Sequence, residues 1–211
     1  MTTINANPII AEIKRYRFAR LELLVGALTS STRRDSVRRI RRSRQLQVVT
    51  TAAGLEIVTL ANRKPAPVEG IARGAVIHSF CSAGPHRRTL LTSEELCRHF
   101  PRLFRFGMPS GYYVDTSRER PVLGFVRVDT GLDPVARIVR RIEQLAERHM
   151  TNAGFASASA SRHFEITYLV ATDTKARFIN TAIDQSQHAI RLHVIAEPLL
   201  LDLLVPLNTA N

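Results

Sequence analysis

Seven arginines fall within the twelve residues from Arg33 to Arg44, and this run constrains the fold more than any other feature of the chain. Val37 and Ile40 lie inside the run three positions apart, a spacing that places two side chains on one face of a helix. A disordered basic tail has no need of such an apolar stripe. The run therefore predicts a folded helix that packs by Val37 and Ile40 and carries its arginines outward.

The chain is strongly basic, and its charge is unevenly distributed. Its 211 residues have a formal net charge of +12 and an isoelectric point of about 11.0. Residues 1–64 hold 13 Lys and Arg against 4 Asp and Glu, which leaves a net charge of only +3 for residues 65–211. Such a balance favours polyanionic partners, either nucleic acid or an acidic membrane surface. We expect the polyanion-binding surface mainly in the N-terminal third.

Arginine supplies nearly all of this positive charge, since Lys14, Lys64 and Lys175 are the only lysines in the sequence. The guanidinium group is the better bidentate ligand for phosphate and guanine. A GC-rich genome explains the same preference equally well. The ratio alone therefore does not decide between these two explanations.

The sequence lacks the patterns of membrane, secreted and zinc-binding proteins. No apolar run reaches the length of a membrane span, and the first residues do not form a secretory signal. Cys81 and Cys97 lie sixteen residues apart, without the CxxC pairs of a zinc ribbon. Phosphate-cradling glycine loops and the common hydrolase motifs are also missing. We expect a soluble cytoplasmic protein without a cofactor.

The residues around the arginine run predict a small helical domain with a β-hairpin. Asn7 and Pro8 predict the start of a first helix, on which Ile9, Ile10, Ile13 and Phe18 mark one face. A second helix is predicted from Ala19 to Leu28, followed by a turn over residues 29–32. Two β-rich stretches, residues 46–51 and 55–60, flank the glycine-containing turn 52–54 and predict a hairpin.

Helix, helix, turn, basic helix and hairpin is an order that resembles the winged helix-turn-helix superfamily over residues 8–62. The resemblance implies a DNA-binding domain whose basic helix enters the major groove, with the hairpin as its wing. A hairpin that only completes the small core fits the sequence equally well. The single-strand binders of RNA show stacking aromatics that this helix lacks, so double-stranded DNA is the expected partner. The residues predicted to bind DNA are Thr32, Arg33, Arg34, Arg38, Arg41, Arg42, Arg44, Arg63 and Lys64.

A proline-containing segment, residues 62–69, predicts a linker and a domain boundary after residue 64. Residues 68–80 fit either a strand or a helix, and residues 92–100 predict a helix with Ser93 as a possible cap. The pattern beyond them predicts two hairpin strands at 112–114 and 122–128. It continues with an amphipathic helix at 133–150, a flexible loop at 151–161, a strand at 164–171, a helix at 174–186 and a strand at 190–196. This β-β-α-β-α-β order predicts an α/β (α+β) domain with a mixed sheet over residues 65–211.

Most of the chain resembles the replication-relaxation proteins of plasmids and integrative elements, in which a winged helix precedes a restriction-endonuclease-like domain. Such nucleases place an Asp on one strand and an acid-x-Lys motif on the next, so that two carboxylates hold Mg²⁺. Here Ser110 and Arg127 stand at ligand positions, and the sequence brings no lysine close to them. The resemblance therefore implies a degenerate nuclease scaffold. An unrelated effector-binding domain is an equal alternative.

These observations predict a non-enzymatic, sequence-specific DNA-binding protein, most simply a transcriptional regulator of a mobile element. The chain is expected to form a homodimer, with the apolar stretch 199–207 as a candidate contact. The alternative is a Mg²⁺-dependent nuclease that uses Asp115 and Asp129 as metal ligands. A third hypothesis is a replication or partition adaptor that binds DNA without acting at a promoter.

Overall fold

The structure is a computed structural model that describes residues 8–26, 33–63, 66–83, 87–131, 133–184 and 189–204. Its contacts divide the chain into two compact units, one of residues 1–83 with 201–211 and the other of residues 84–200. Each unit combines helices with a β-sheet, which confirms the mixed α and β class. The first unit extends beyond the boundary predicted after residue 64, because a further helix packs within it.

The first unit begins with the elements that support the arginine run. A three-stranded antiparallel sheet has the order β1-β3-β2. Its hairpin strands β2 and β3 confirm the predicted hairpin, with Leu46 paired to Leu60 and Thr50 to Glu56. The elements are α1 (Pro8–Tyr16), β1 (Ala19–Arg20), α2 (Leu21–Gly26), α3 (Arg33–Arg42), β2 (Leu46–Thr50) and β3 (Glu56–Leu60).

The second predicted helix begins later than expected. Ala19 and Arg20 form a short strand instead, paired with Val58 and Ile57 of β3. Arg17, in the left-handed conformation with φ of 69°, follows the end of α1, so Phe18 is not part of that helix. The strand depends on a partner far along the chain, which helical periodicity cannot reveal.

The segment 68–80, whose sequence fits either a strand or a helix, belongs to α4 (Val68–Ser82) of the first unit. A Cβ at Gly74 would lie 2.8 Å from the Phe18 ring, so the glycine allows a close approach of α4 to the chain after α1. Farther along α4, the Nδ1 atom of buried His78 accepts a 3.3 Å hydrogen bond from the Arg20 N–H. Burial and the nearby Arg20 charge lower the pKa of His78 to about 4. A neutral histidine thus fixes α4 to β1.

The second unit is built on a mixed five-stranded sheet with the order β4-β5-β6-β7-β8. Strands β4, β5 and β6 are antiparallel, whereas β6, β7 and β8 are parallel. The predicted β-β-α-β-α-β order is present, with a short strand added before it. The elements are β4 (Arg88–Leu90), α5 (Ser93–His99), β5 (Tyr112–Asp115), β6 (Val122–Val128), α6 (Val135–Met150), α7 (Ala153–Ala160), β7 (Phe164–Val170), α8 (Asp173–Asp184) and β8 (Arg191–Ala196).

Two local predictions in this unit are wrong. The segment 151–161 is not a flexible loop, because it contains α7, whose first turn is capped by a 2.9 Å hydrogen bond from Gly154 N–H to the Asn152 side chain. Alanine favours the helix, and Phe155 buries its ring. The cap of α5 is Thr92 and not Ser93, since Thr92 and Glu95 form a reciprocal capping box.

The apolar stretch near the C-terminus forms a short helix, α9 (Leu199–Leu204). Its first two residues are assigned to the second unit and the others to the first. Leu199, Leu200 and Leu203 are buried within the chain, whereas Leu201 is exposed. Residues 205–207 of the predicted dimer contact lie outside the described residues. No helix in the described part of the chain has the length and apolar character to cross a bilayer.

Candidate nucleic-acid interface

Helix α3 presents a row of exposed arginines, as the sequence predicts. Arg34, Arg38 and Arg42 are spaced four residues apart, so they lie one above another on the same side of the helix. All three are exposed, and no described residue forms an ion pair with any of them. The three guanidinium groups repel each other weakly. Because no described acid pairs with them, their charge is available to an external anion.

The opposite side of α3 fixes this row in place. Ile40 is only 1 % exposed and packs with α1 and α2 in the core of the first unit, and Val37 packs at its border. Ser36 is buried on the same side, which the apolar spacing does not predict. The predicted apolar stripe is therefore confirmed. Because the inner face is docked, the arginine row has a fixed direction relative to the domain.

Arg41 differs from its neighbours because it forms an ion pair with Glu56 at the start of β3. The side chain of Arg41 is still 55 % exposed, so this pair is a surface contact of small energy. Its effect is geometric, since it ties the flank of α3 to the hairpin. Arg41 is thus a weaker candidate for an external anion than Arg38 or Arg42.

The other predicted DNA-binding residues are only partly described. Arg44 lies in the turn after α3, because the helix ends at Arg42 and not at Arg44, and it is exposed. Arg63 is exposed just after β3, at the base of the hairpin and away from its tip. Thr32, the side chain of Arg33 and Lys64 lie outside the described part of the structure.

One flank of α3 borders an open groove of about 460 Å³. Arg38, Arg39 and Arg42 supply its cationic rim, and Arg39 was not among the residues predicted from the sequence. Asp35 is the one acid among the residues that line this groove, so the rim remains net positive. The remaining lining residues are Ile9, Ile40, Ser43 and Leu46. The helix therefore offers cations on its outer face and on one flank.

The hairpin tip carries no charge. Thr51 closes it by a 2.9 Å hydrogen bond from Gly54 N–H to the Thr51 carbonyl, and Gly54 adopts φ of 77°, which favours glycine. Ala52 and Ala53 are exposed beside it. Backbone amides and a hydroxyl are thus the polar groups that this tip can offer to a partner.

The two carboxylates of the alternative metal site are far apart. Asp115 is paired with Val122 at the start of β6, whereas Asp129 follows the end of that strand. Seven residues at about 3.3 Å each separate the two positions by roughly 23 Å. A Mg²⁺ ion binds its ligands at about 2.1 Å, so Asp115 and Asp129 cannot hold one ion together. This geometry overturns the predicted pair.

Each of these carboxylates also has a partner of its own. Asp115 is fully buried and lies 3.3 Å from Arg88, and it accepts a 2.9 Å hydrogen bond from Ser117 N–H. Asp129 lies 2.5 Å from the ammonium of Lys175, which also donates to the Asp133 carbonyl at 2.8 Å. The sequence pattern does not predict this lysine beside Asp129. Lys175, forty-six residues away in sequence, fastens the loop after β6.

The two positions read as departures from the nuclease pattern do lie on neighbouring segments. Val126 N–H donates a 2.8 Å hydrogen bond to the Gly111 carbonyl, which extends the β5–β6 pairing toward Ser110 and Arg127. Both of these side chains are exposed, and neither is an acid. Among the residues with described positions, no group of three or more His, Cys, Asp or Glu has the geometry of a metal site.

A buried charge network in the second unit was not predicted. Glu165 on β7 is 2 % exposed, and its carboxylate accepts a 2.9 Å hydrogen bond from the Tyr113 hydroxyl. Arg118, His193 and Arg191 lie 3.2, 3.4 and 3.9 Å from the same carboxylate. Burial alone would raise the pKa of Glu165, but His193, Tyr113 and Arg118 outweigh it and lower the pKa to about 2. The network is a structural ion cluster formed by residues distant in sequence.

Comparison of this chain with protein-family models, with curated proteins and with solved structures found no match.

Proposed function

We propose that this chain is a double-stranded DNA-binding protein that uses α3 as its recognition helix. The observation that carries the proposal is the row of Arg34, Arg38 and Arg42 on a helix whose other face is docked in the core. Arginines in this arrangement contact phosphates and guanine edges in the major groove. A solvated surface helix without a partner would tolerate the repulsion within the row but gain nothing from it.

The arrangement of the first unit supports a winged helix-turn-helix. Its order α1-β1-α2-α3-β2-β3 with the sheet order β1-β3-β2 is typical of that superfamily, in which the helix before the hairpin reads the DNA. In this proposal the hairpin is the wing. Because its tip is uncharged, the wing contacts DNA through backbone amides or through Arg63 at its base.

The role proposed for the protein is that of a sequence-specific regulator in the cytoplasm, of the kind that mobile elements encode. Such readers bind two-fold sites as homodimers, and the exposed Leu201 of α9 is the candidate contact. Sedimentation of the Leu201→Glu variant beside the wild-type chain tests the dimer. A wild-type monomer at all concentrations would remove this part of the proposal without affecting α3.

The proposal gives the second unit no catalytic role. A degenerate nuclease-like scaffold and an effector-binding domain both remain compatible with its mixed sheet. The nuclease alternative loses support because Asp115 lies on β5 beside the start of β6, whereas Asp129 follows the end of β6. Cleavage of plasmid DNA with Mg²⁺, abolished by Asp129→Ala, would revive it.

A salt series of duplex-DNA binding tests the role of α3. Phosphate contacts release counterions, so the logarithm of the binding constant falls linearly with the logarithm of salt concentration. We expect Arg38→Ala and Arg42→Ala each to reduce this slope by about one. Arg41→Ala should reduce it less, because Glu56 already neutralises part of its charge.

Arg177→Ala is the matched control, since Arg177 is an exposed arginine on the unrelated helix α8. Equal losses in Arg38→Ala and Arg177→Ala would mean that binding follows net charge and not α3. Unchanged binding in the double variant of Arg38 and Arg42 would exclude α3 as the interface. A footprint on the DNA flanking the gene would then identify the sequence that is read.

A further inference from the structure

Phe106 in the second unit is fully exposed, at 101 % of its reference accessibility. The other exposed large apolar side chains among the described residues are Phe178, Leu201 and Ile195, at 63, 50 and 38 %. An exposed apolar side chain is common on protein surfaces, so exposure alone explains nothing. What requires an explanation is that this ring is held outward by a defined turn.

The turn spans Arg105 to Met108. Met108 N–H donates a 3.3 Å hydrogen bond to the Arg105 carbonyl, and Gly107 has φ of 81°. Phe106 does not have a positive φ, so the geometry is that of a type II turn with glycine at its third position. Phe106 occupies the second position, from which its side chain points away from the closed turn.

Both sides of the turn are attached to the core of the second unit. Phe104 and Met108 pack against the cluster that contains Tyr112, Phe125 and Phe155. Arg105 N–H lies 3.0 Å from the Met108 sulfur, and the Arg105 guanidinium donates to the Phe104 carbonyl at 2.8 Å. The residues beside Phe106 are therefore fixed, while Phe106 itself contacts solvent.

The surroundings of Phe106 in the sequence are cationic. The nineteen residues 96–114 contain three arginines, Arg98, Arg102 and Arg105, and no Asp or Glu. All three arginines are exposed, although Arg98 is also paired with Glu94. An outward aromatic ring next to guanidinium groups, without nearby acids in the loop, has the two features that a nucleotide needs. The ring can stack on a base, and the cations can bind the adjoining phosphates.

We propose that the turn 105–108 is a second nucleic-acid contact, at which Phe106 stacks on an unstacked or unpaired DNA base and Arg102 and Arg105 bind the flanking phosphates. The choice of DNA as the partner rests on the function proposed above. The contact is separate from α3, because it uses a base face and belongs to the second unit. It gives that unit a role in binding that requires no catalytic site.

The absence of tryptophan from the sequence allows a direct test. The Phe106→Trp variant of the full chain carries a single tryptophan at the tip of the turn, and Phe178→Trp is the matched control at the other exposed phenylalanine. Each variant is titrated with a short single-stranded oligothymidylate at low salt. We expect the fluorescence of Phe106→Trp to be quenched by base stacking, and that of Phe178→Trp to stay unchanged.

Affinity provides the second measurement. Stacking on one base contributes to the binding free energy, so Phe106→Ala should weaken binding of the oligonucleotide about tenfold. Phe178→Ala should bind it as the wild type does. Because both rings are exposed, neither substitution should prevent folding. Equal affinity of Phe106→Ala and the wild type, or equal quenching of both tryptophan variants, would overturn the proposal. So would a blue shift of Phe106→Trp with phosphatidylglycerol vesicles in the absence of any response to DNA.

The outcomes separate this inference from the role of α3. If the Arg38 and Arg42 variants lose duplex binding while Phe106→Trp shows no quenching, the α3 interface stands and the base contact fails. If quenching persists while those arginine variants bind duplex normally, the base contact stands and α3 is not the interface.

Discussion

Arginine performs opposite tasks on α3 of the first unit and beside the buried acids of the second unit. On α3 of the first unit, Arg34, Arg38 and Arg42 are exposed in a row of like charge. In the second unit, arginines such as Arg88 and Arg118 neutralise the buried acids Asp115 and Glu165. Repulsion within the first set slightly reduces the stability of the fold and leaves positive charge available to an external anion. The second set allows acids to be buried in the protein interior. The surroundings of an arginine, more than its presence, therefore indicate whether it serves binding or the fold.

The largest effect that follows from this contrast is expected at Glu165. Glu165→Ala removes the shared partner of Arg118 and His193 and leaves the Tyr113 hydroxyl with one partner fewer. Breaking a buried ion cluster is strongly destabilising, and because its cations are partly exposed we expect a loss of about 3 kcal/mol. Urea unfolding followed by near-UV circular dichroism measures it.

Glu119→Ala is the control for that experiment, since Glu119 is an exposed acid of the loop that carries Arg118. Its effect should stay within about 0.5 kcal/mol. Comparable losses in the two variants would mean that the Glu165 network is as dispensable as a surface charge. The contrast between the two sets of arginines would then fail.

The same network should make the second unit sensitive to acid. The pKa of Glu165 is about 2 in the folded chain and near 4.5 in the unfolded chain, so the folded state favours the carboxylate. Its contribution is fully present above pH 4.5 and is lost as the pH falls from about 4.5 to about 2. Allowing for solvent at the cations, this contribution amounts to about 2 kcal/mol.

Glu165→Gln provides the comparison, because it keeps the side-chain shape and removes the titration. Its free energy of unfolding should depend less on pH than that of the wild type between pH 4.5 and 2. Parallel curves for the two proteins would show that Glu165 does not titrate with a lowered pKa. Glu165 is the only titratable group that the substitution removes, so a difference between the two curves is assigned to this carboxylate and its contacts.

The arginine row was predictable from the sequence and the charge network was not, for one physical reason. Val37 and Ile40 are neighbours along a single helix, so their spacing reveals which face is docked before any tertiary contact is known. Glu165 meets Tyr113 and Arg118 across fifty-two and forty-seven residues. Such contacts depend on the order and register of strands, and the sequence predicted the strands without their order.

The same distinction accounts for the errors within each unit. The strand Ala19–Arg20 exists because β3 pairs with it, whereas the local pattern of apolar residues predicts the start of a helix. The ion pair of Asp129 is not predictable from local sequence, because its partner Lys175 is forty-six residues away. Conversely, α7 differs from the predicted loop although its signals are local: small residues suggest flexibility, but Asn152 caps the first turn of the helix.

The smallest change in stability predicted for an arginine or its partner is a gain and not a loss. It is expected at Arg38, and it tests whether the arginines of α3 serve binding. Arg38 lies four residues from both Arg34 and Arg42, so Arg38→Glu converts two repulsive pairs into two attractive ones. We expect it to stabilise the first unit by about 1 kcal/mol while it abolishes the affinity for duplex DNA. Arg38→Gln, which only removes the charge, should give an intermediate stability in urea unfolding. If Arg38→Glu were less stable than Arg38→Gln, Arg38 would be serving the fold in the way that Arg118 does. A gain in stability together with a loss of binding is the result expected of an arginine retained for a partner outside the chain.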